Sequence, residues 1–270
     1  MPPRFLHPLL IRYIRGPNHP AKLRLLHAAE TWLRGLECAV RPDLRLALDY
    51  GDCLQHELLC GRDHEPLTLA LLERLLPPGA LFVDVGANIG FFSLLAARRV
   101  GPAGRVIALE PNPAALRRLR QNLALNPAFR VEVIEAAASD RVGEVRLAQP
   151  DDWNLGGVCI SETGTVPVRC APLGDLLAPL NLAHAPDLMK IDVEGHEPSV
   201  LRGLFASPQL RPRHIVFEFK PSFFPLADPE GALWQPLRAA GYTVRAVDGQ
   251  PFGASAPEDN VWAELKNFAP

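Results

Sequence analysis

Apolar residues along this chain fall into two rhythms. From residue 81 onward, short unbroken apolar runs alternate with stretches in which apolar positions recur every three or four residues. The runs read as buried strands and the longer stretches as amphipathic helices. Leu81–Val85, Val106–Leu109 and Val131–Glu135 are the first expected strands, with helices over Phe91–Arg99 and Ala114–Leu125 between them. Asp187–Val193 and His214–Phe219 continue the strands, with helices expected over Leu173–Leu180, Pro198–Phe205 and Gly231–Ala240. YTVRAV and NVWAEL close the chain as two further strands. Strands alternating with helices of this length argue for an α/β fold built on a doubly wound, mostly parallel sheet.

The rhythm breaks between residues 143 and 172, where EVRLA and TVPVRC flank the turn-rich PDDWNLGG. This predicts an antiparallel insertion at one sheet edge. Upstream, helices are expected over Leu6–Arg15 and Ala21–Leu36, split by GPNHP. Leu44–Leu59 reads as a strand pair, RLALDY and CLQHELLC, and Thr68–Leu76 as a helix stopped by Pro77, Pro78 and Gly79. The chain thus divides into an N-terminal helical extension, residues 1–43, and one α/β domain, residues 44–270. Its 270 residues are too many for a minimal domain and too few for two large ones.

Net charge is −2, so no global field favours nucleic acid as a partner. The five cysteines show no C-x-x-C spacing. That points to reduced thiols in a cytoplasmic protein rather than a zinc site or disulfide framework. No apolar run reaches bilayer-spanning length, and Pro8 and Arg12 break the first apolar stretch, unlike a signal peptide. The first 45 residues hold eight Lys or Arg against three Asp or Glu. A basic amphipathic helix there is either a solvated face packed on the domain or on another subunit of a homo-oligomer, or a peripheral contact with an anionic membrane or polyanion.

The segment FVDVGANIG, residues 82–90, joins a strand to a helix through a tight turn. In open α/β sheets such turns border a nucleotide crevice. A pyrophosphate turn needs G-x-G-x-x-G. Here Gly86 fills the first glycine position, but Asn88 and Phe91 stand at the second and third. Asn tolerates left-handed backbone angles, so the turn survives and suits a ligand without a diphosphate. Gly86, Ala87, Asn88 and Gly90 would shape it. Asp84 either accepts from neighbouring backbone N–H groups or meets a ligand ammonium. Glu110 ends the second strand, RVIALEPNP, at the distance where a carboxylate accepts from ribose hydroxyls. Asn112 either faces the nucleoside or simply caps the next helix. After the third strand, AAASD brings Ser139 and Asp140 toward an adenine ring, or is a plain loop.

DVGANIG, ALEPNP, AAASD and DLMKIDVEGHE, in that order, resemble the FkbM family of S-adenosylmethionine-dependent methyltransferases. The likeness runs from about Leu44 to about Leu265 and is most specific between Phe82 and Phe219. It implies a Rossmann-like class I methyltransferase fold of seven strands, the last antiparallel. It also implies S-adenosylmethionine as donor and a hydroxyl of a sugar or polyketide-like secondary metabolite as acceptor.

Alternate side chains of an extended strand share a face, so Lys190, Asp192 and Glu194 are expected to point the same way. Such charges are costly in a core strand unless paired or solvated; a Lys190–Asp192 pair is the bland explanation. Methyl transfer to a hydroxyl asks for in-line positioning and a proton acceptor, for which Asp192, Glu194 and His196 are candidates. His196 also opens the following helix. Glu218 ends the next strand, and Asp192 with Glu218 form a candidate Mg²⁺ site, or only orient the acceptor. Trp153, Asn154, Phe223 and Phe224 are candidate acceptor contacts, or the aromatic ones among them plug the edge of the domain's own core. Two rival readings stay open: a nucleotide-dependent oxidoreductase, and a non-catalytic nucleoside-binding protein associated with glycan or membrane.

Overall fold

The computed structural model describes residues 1–148, 155–220, 233–252 and 260–266. Helices α1 (His7–Arg15) and α2 (Pro20–Ala28) open the chain. Lys22 is buried between them, its ammonium donating to the Ile14 and Gly16 carbonyls at 2.8 and 2.6 Å and to Asn18 Oδ1 at 3.0 Å. It thereby satisfies carbonyls that the end of α1 leaves free. α2 stops at Ala28, short of the expected Leu36, which instead begins strand β1 (Leu36–Arg41). β1 pairs antiparallel with β2 (Leu44–Leu48). Buried Leu36 and Cys38 face buried Leu48 and Leu46 across this hairpin, so a period-two pattern and its cross-strand partner override the helical reading.

CLQHELLC is not a strand. It forms helix α3 (Cys53–Leu59), because Asp52 accepts from the Gln55 N–H at 3.0 Å and caps it. Leu54, Leu58 and Leu59 then fall at helical spacing toward the core. Helix α4 (Pro66–Leu75) leads into the central sheet, followed by β3 (Leu81–Val85), α5 (Phe91–Val100), β4 (Arg105–Leu109), α6 (Pro113–Leu125) and β5 (Glu132–Ile134). Next come β6 (Ala137–Ala138), β7 (Gly143–Ala148), β8 (Cys159–Ile160) and β9 (Val166–Ala171). The chain continues through α7 (Leu173–Leu177), β10 (Leu188–Ile191), α8 (Glu197–Phe205), β11 (His214–Glu218), α9 (Trp234–Ala239), β12 (Tyr242–Ala246) and β13 (Asn260–Leu265).

Among the described residues the main sheet has seven strands in the order β12-β13-β11-β10-β3-β4-β5. Only β13 runs against its neighbours. This is the class I methyltransferase fold. Alternation along the strands sorts the core to two faces. Phe82, Val106, Leu188 and Val216 pack toward α4, α5 and the N-terminal elements, while Val83, Ile107, Met189 and Phe217 pack toward α7, α8 and α9. The expected insertion does not extend the main sheet. β7, β8 and β9 form a separate sheet with β6, in the order β6-β9-β7-β8, because β9 pairs with Ala137 and Ala138 after the chain has left β5.

The N-terminal hairpin is fixed to the main domain by two asparagines of α6. Asn122 accepts from the Ala47 N–H at 2.7 Å and donates to the Ile89 carbonyl at 2.9 Å. Asn126 accepts from Arg45 N–H at 2.9 Å and donates back to its carbonyl at 2.6 Å. Asn122 is fully buried, so Asn122→Ala leaves backbone groups without partners. The expected cost is about 2 kcal/mol, or roughly 4–8 °C in Tm by thermal denaturation. Gln121→Ala on the exposed side of the same helix should stay within about 0.5 kcal/mol.

Candidate active site

A cavity of about 370 Å³ opens at the carboxyl ends of β3, β4, β10 and β11. The Gly86–Gly90 turn forms one side. Gly86, Asn88 and Gly90 all have left-handed backbones, with φ of 85°, 50° and 84°. A Cβ on Gly86 would lie 1.8 Å from the Asp192 carbonyl oxygen, so only glycine lets β3 and the segment after β10 close on each other. The turn's amides are spent internally. Those of Gly86 and Ala87 donate to the Leu109 carbonyl, that of Asn88 to Glu110 and that of Gly90 to the Ala87 carbonyl. None of these four is left for a phosphate, in keeping with the missing glycines.

Glu110 is turned inward. Its two carboxylate oxygens accept from the Asn88 and Asn112 N–H groups at 2.7 and 2.8 Å, and the side chain lines the cavity. Burial pushes its carboxyl up to about 7, against the opposing pull of those two N–H donors. Asn112 caps α6 through the Ala114 N–H. Its Nδ2, like Asn88 Oδ1, is buried without a partner, and both residues line the cavity. Ala136, Ala137 and Ala138 provide an apolar wall beside them. An inward carboxylate, orphaned amide atoms and a small-residue wall together fit a nucleoside ligand such as S-adenosylmethionine.

Several expected contacts do not reach the cavity. Asp84 is sealed below it, 1% exposed, and accepts from Ser93 Oγ at 2.5 Å. Burial raises its carboxyl to about 6, with Lys190 and Ser93 pulling the other way. Ala87 and Gly90 shape the turn from behind and do not line the cavity. Ser139, Asp140 and His196 also lie outside it. Ser139 Oγ and His196 Nε2 are hydrogen-bonded at 3.1 Å, and Asp140 is held by the Arg202 guanidinium at 2.8 and 3.0 Å. The three lock α8 against the loop after β6. The reason is strand alternation: after alanines 136–138 the loop turns toward α8, whose Gly203 backbone approaches the Ser139 carbonyl closely.

Lys190 is a floor residue rather than a lining one. Its ammonium is buried, 2.7 Å from Asp192 Oδ2 and 4.5 Å from the Phe92 ring centroid. Burial works against its charged form, but Asp192, Glu65 and Asp84 outweigh burial and hold it protonated. Above it, Asp192, Glu194 and Glu218 converge, with three carboxylate oxygens within 4.8 Å of one another. Lys220 donates to Glu194 at 2.7 Å and lies 2.9 Å from Glu218. Burial, then the Asp192 and Glu194 charges, push Glu218 up to about 8, with Lys220 opposing. Glu197 folds the turn from below by accepting from the Val193 N–H at 3.0 Å.

The donor set of this cluster suits Mg²⁺, but its arrangement does not. Lys220 already bridges Glu194 and Glu218, and Lys190 already holds Asp192, so a divalent ion would have to displace Lys220.

Sequence reasoning missed the wall supplied from the N-terminal half. His64 and Glu65 line the cavity; His64 Nδ1 and Glu57 are bonded at 2.8 Å. Lys190 and His64 outweigh burial to hold the Glu65 carboxyl down at about 2. A signal was present: His-Glu-Pro occurs twice, at 64–66 and 196–198, each time opening a helix. Leu155, whose N–H donates to Asp52 Oδ2 at 2.9 Å, and Val158 and Ile160 line the far side. Glu65, Asn88 and Glu194 are three of the four non-glycine residues with positive φ among the described residues, and all three border this cavity. Such strain gathers at functional sites. Trp153, Asn154, Phe223 and Phe224 lie outside the described residues.

A family model described as the methyltransferase FkbM domain matches residues 84–244. The chain is 28% identical over 218 residues to methyltransferase sdnD of Sordaria araneosa, covering 64% of this chain and 84% of that protein. It is 31% identical over 215 residues to the 31-O-demethyl-FK506 methyltransferase FkbM of Streptomyces tacrolimicus, covering 67% and 79%. To the hexuronic acid methyltransferase AglP of Haloferax volcanii it is 29% identical over 143 residues, covering 53% and 57%.

The close approach at Gly86 makes a specific expectation. Gly86→Ala should cost more than about 3 kcal/mol and abolish binding of S-adenosylhomocysteine measured by calorimetry. Gly79 has nearly the same φ, 86°, but nothing within 4 Å of its would-be Cβ. Gly79→Ala should therefore cost only about 1–2 kcal/mol.

Proposed function

Because the chain belongs to the FkbM methyltransferase family and is a methyltransferase dependent on S-adenosylmethionine, we propose that it methylates a hydroxyl oxygen of a sugar or secondary-metabolite acceptor. One observation carries this reading: a single cavity holds the inward Glu110 carboxylate at β4 and the Asp192–Glu194–Glu218 cluster at β10 and β11. In the sheet order, β4 and β11 are three strand spacings apart, roughly 14 Å. That span suits a nucleoside joined to an amino-acid chain on one side and an acceptor on the other. The names of two relatives, one for a 31-O-demethyl substrate and one for a hexuronic acid, support the acceptor class.

When bound, the donor supplies an electrophilic methyl on a sulfonium. Glu110 accepts from the ribose hydroxyls, which favours its ionised form. Asn88 Oδ1 and Asn112 Nδ2 find in the nucleoside the partners they otherwise lack. Alanines 136–138 leave room for a flat ring. Asp192, fixed from below by Lys190, orients the acceptor hydroxyl near the transferred carbon. Glu218 would take its proton as the oxygen bonds to the methyl carbon, the methyl–sulfur bond breaks and the thioether S-adenosylhomocysteine leaves. A carboxyl near 8 is a stronger base than an ordinary one; burial first, then Asp192 and Glu194, raise it against the pull of Lys220.

Calorimetry with S-adenosylhomocysteine and with NAD(H), followed by turnover of a hydroxylated acceptor panel with and without chelator, tests the reading. Binding of NAD(H) alone would favour an oxidoreductase, and donor binding without turnover a non-catalytic protein. Loss of turnover in chelator with rescue by Mg²⁺ would mean that Lys220 gives way to a metal at Asp192 and Glu218.

Glu110→Ala is expected to raise KM for the donor at least about tenfold with a smaller change in kcat, whereas Asp192→Asn lowers kcat with little change in donor KM. The reverse split would exchange the two ends of the pocket.

The pH dependence has a defined sign. Glu218 must be ionised to accept a proton, so kcat/KM should fall as pH drops through about 8 and level off above it. Glu218→Gln should lose about 10²–10⁴ in kcat and flatten that limb. A wild-type profile unchanged in Glu218→Gln would assign the base elsewhere.

A further inference from the structure

Exposed apolar side chains are not spread evenly over the molecule. Of the nine large ones among the described residues, seven lie in the first 32 positions: Met1, Phe5, Leu9, Tyr13, Leu23, Leu25 and Trp32. Leu9 and Tyr13, 65% and 40% exposed and four apart, share the outer face of α1, and Phe5, 77% exposed, extends the row from the 3-10 turn Arg4–Leu6 that leads into the helix. Arg12, also exposed, sits on that face beside Tyr13. The opposite face carries the buried His7 and Ile14, with Ile14 in the core, so α1 is already anchored and its outer row is surplus to folding. No Asp or Glu occurs among residues 1–29, whereas Arg12 and Arg24 are exposed; Arg4 is exposed but paired with Glu37 at 2.6 Å, and the Arg15 guanidinium donates inward to the Leu59 carbonyl at 3.0 Å.

We infer that the outer face of α1 docks the protein on an anionic lipid surface. A bulky aromatic, a leucine and a tyrosine bracketed by arginines suit the boundary between acyl chains and anionic headgroups, where the apolar row sinks and the guanidiniums stay at phosphate level. A second copy of the chain is the poorer occupant. Pairing two such faces would bring Arg12 against its own copy; the nearby Glu37 is already taken by Arg4, and residues 1–29 hold no carboxylate to offset Arg12. Because the surface lies outside the catalytic cavity, this inference stands or falls independently of the acceptor chemistry.

The test is co-sedimentation of the full chain with vesicles of phosphatidylcholine containing about one-third phosphatidylglycerol, against pure phosphatidylcholine. Binding should be at least about tenfold stronger to the anionic vesicles and weaken several-fold when salt is raised from about 0.05 to 0.5 M. The double variant Phe5→Ser, Leu9→Ser should lose about tenfold or more of that binding. Its Tm and its affinity for S-adenosylhomocysteine should match those of the wild type, since both side chains are solvent-exposed. Equal binding to both vesicle types, or full binding by the double variant, overturns the proposal. So does a concentration-dependent dimer in sedimentation velocity that the double variant abolishes, which would make a second copy the occupant.

Discussion

The buried ammonium of Lys190 is the interaction on which the site depends. It lies in the middle of a parallel sheet, in register between Asp84 and Val216 on the neighbouring strands. An isolated charge there would be prohibitively unstable, so it must be answered by carboxylates drawn from different parts of the chain. Asp192 comes from its own strand end, Asp84 from β3 and Glu65 from the loop before α4. Asp84 in turn binds Ser93 of α5. One lysine thereby ties four segments to a common centre and holds Asp192 up into the cavity. Replacing such a cluster with hydrophobic residues need not lower stability; what it would remove is the geometry.

Legibility in the sequence followed the range of the determining contact. The βα rhythm from Leu81 to Phe219 is local, and each core strand lies within a few residues of its expected place. Glu110, Asp192, Glu194 and Glu218 were legible for the same reason: each stands at or just beyond a strand's carboxyl end, where the topology leaves side chains over the crevice. Cys53–Leu59 was misread because its apolar content fits either period, and the deciding fact is one hydrogen bond from Asp52. Ser139, Asp140 and His196 were misplaced because a loop's direction after an edge strand depends on the helix pressing on it. The walls given by His64, Glu65 and Leu155 come from segments far away in the chain, which no local pattern reports.

The electrostatics divide the cavity's carboxylates into two kinds. Glu65 faces ammonium and imidazole and is held ionised well below the usual range. Glu110 and Glu218 are crowded by burial and by other carboxylates, and sit near or above neutrality. Groups of the second kind are costly to ionise in the fold, yet they are the ones whose protonation a ligand can change. The left-handed backbones at Glu65, Asn88 and Glu194 add local strain at the same place. Stability is given up there and recovered in the two large apolar faces of the sheet.

The small sheet of β6 to β9 has a separate consequence. Its β7 and β8 contribute Leu147 and Ile160 to the cavity, and among the described residues it shares no ladder with the main sheet; a hydrogen bond from the adjoining Leu155 to Asp52 links that side to the N-terminal half. The nucleoside side, by contrast, is built on the ends of β3 and β4 and on β6, whose Ala137 and Ala138 are the point where the small sheet meets the donor. Selection can therefore alter β7 and β8 while β6 and the methyl-donor chemistry stay in place, so that new specificities arise by trading one wall of the chamber.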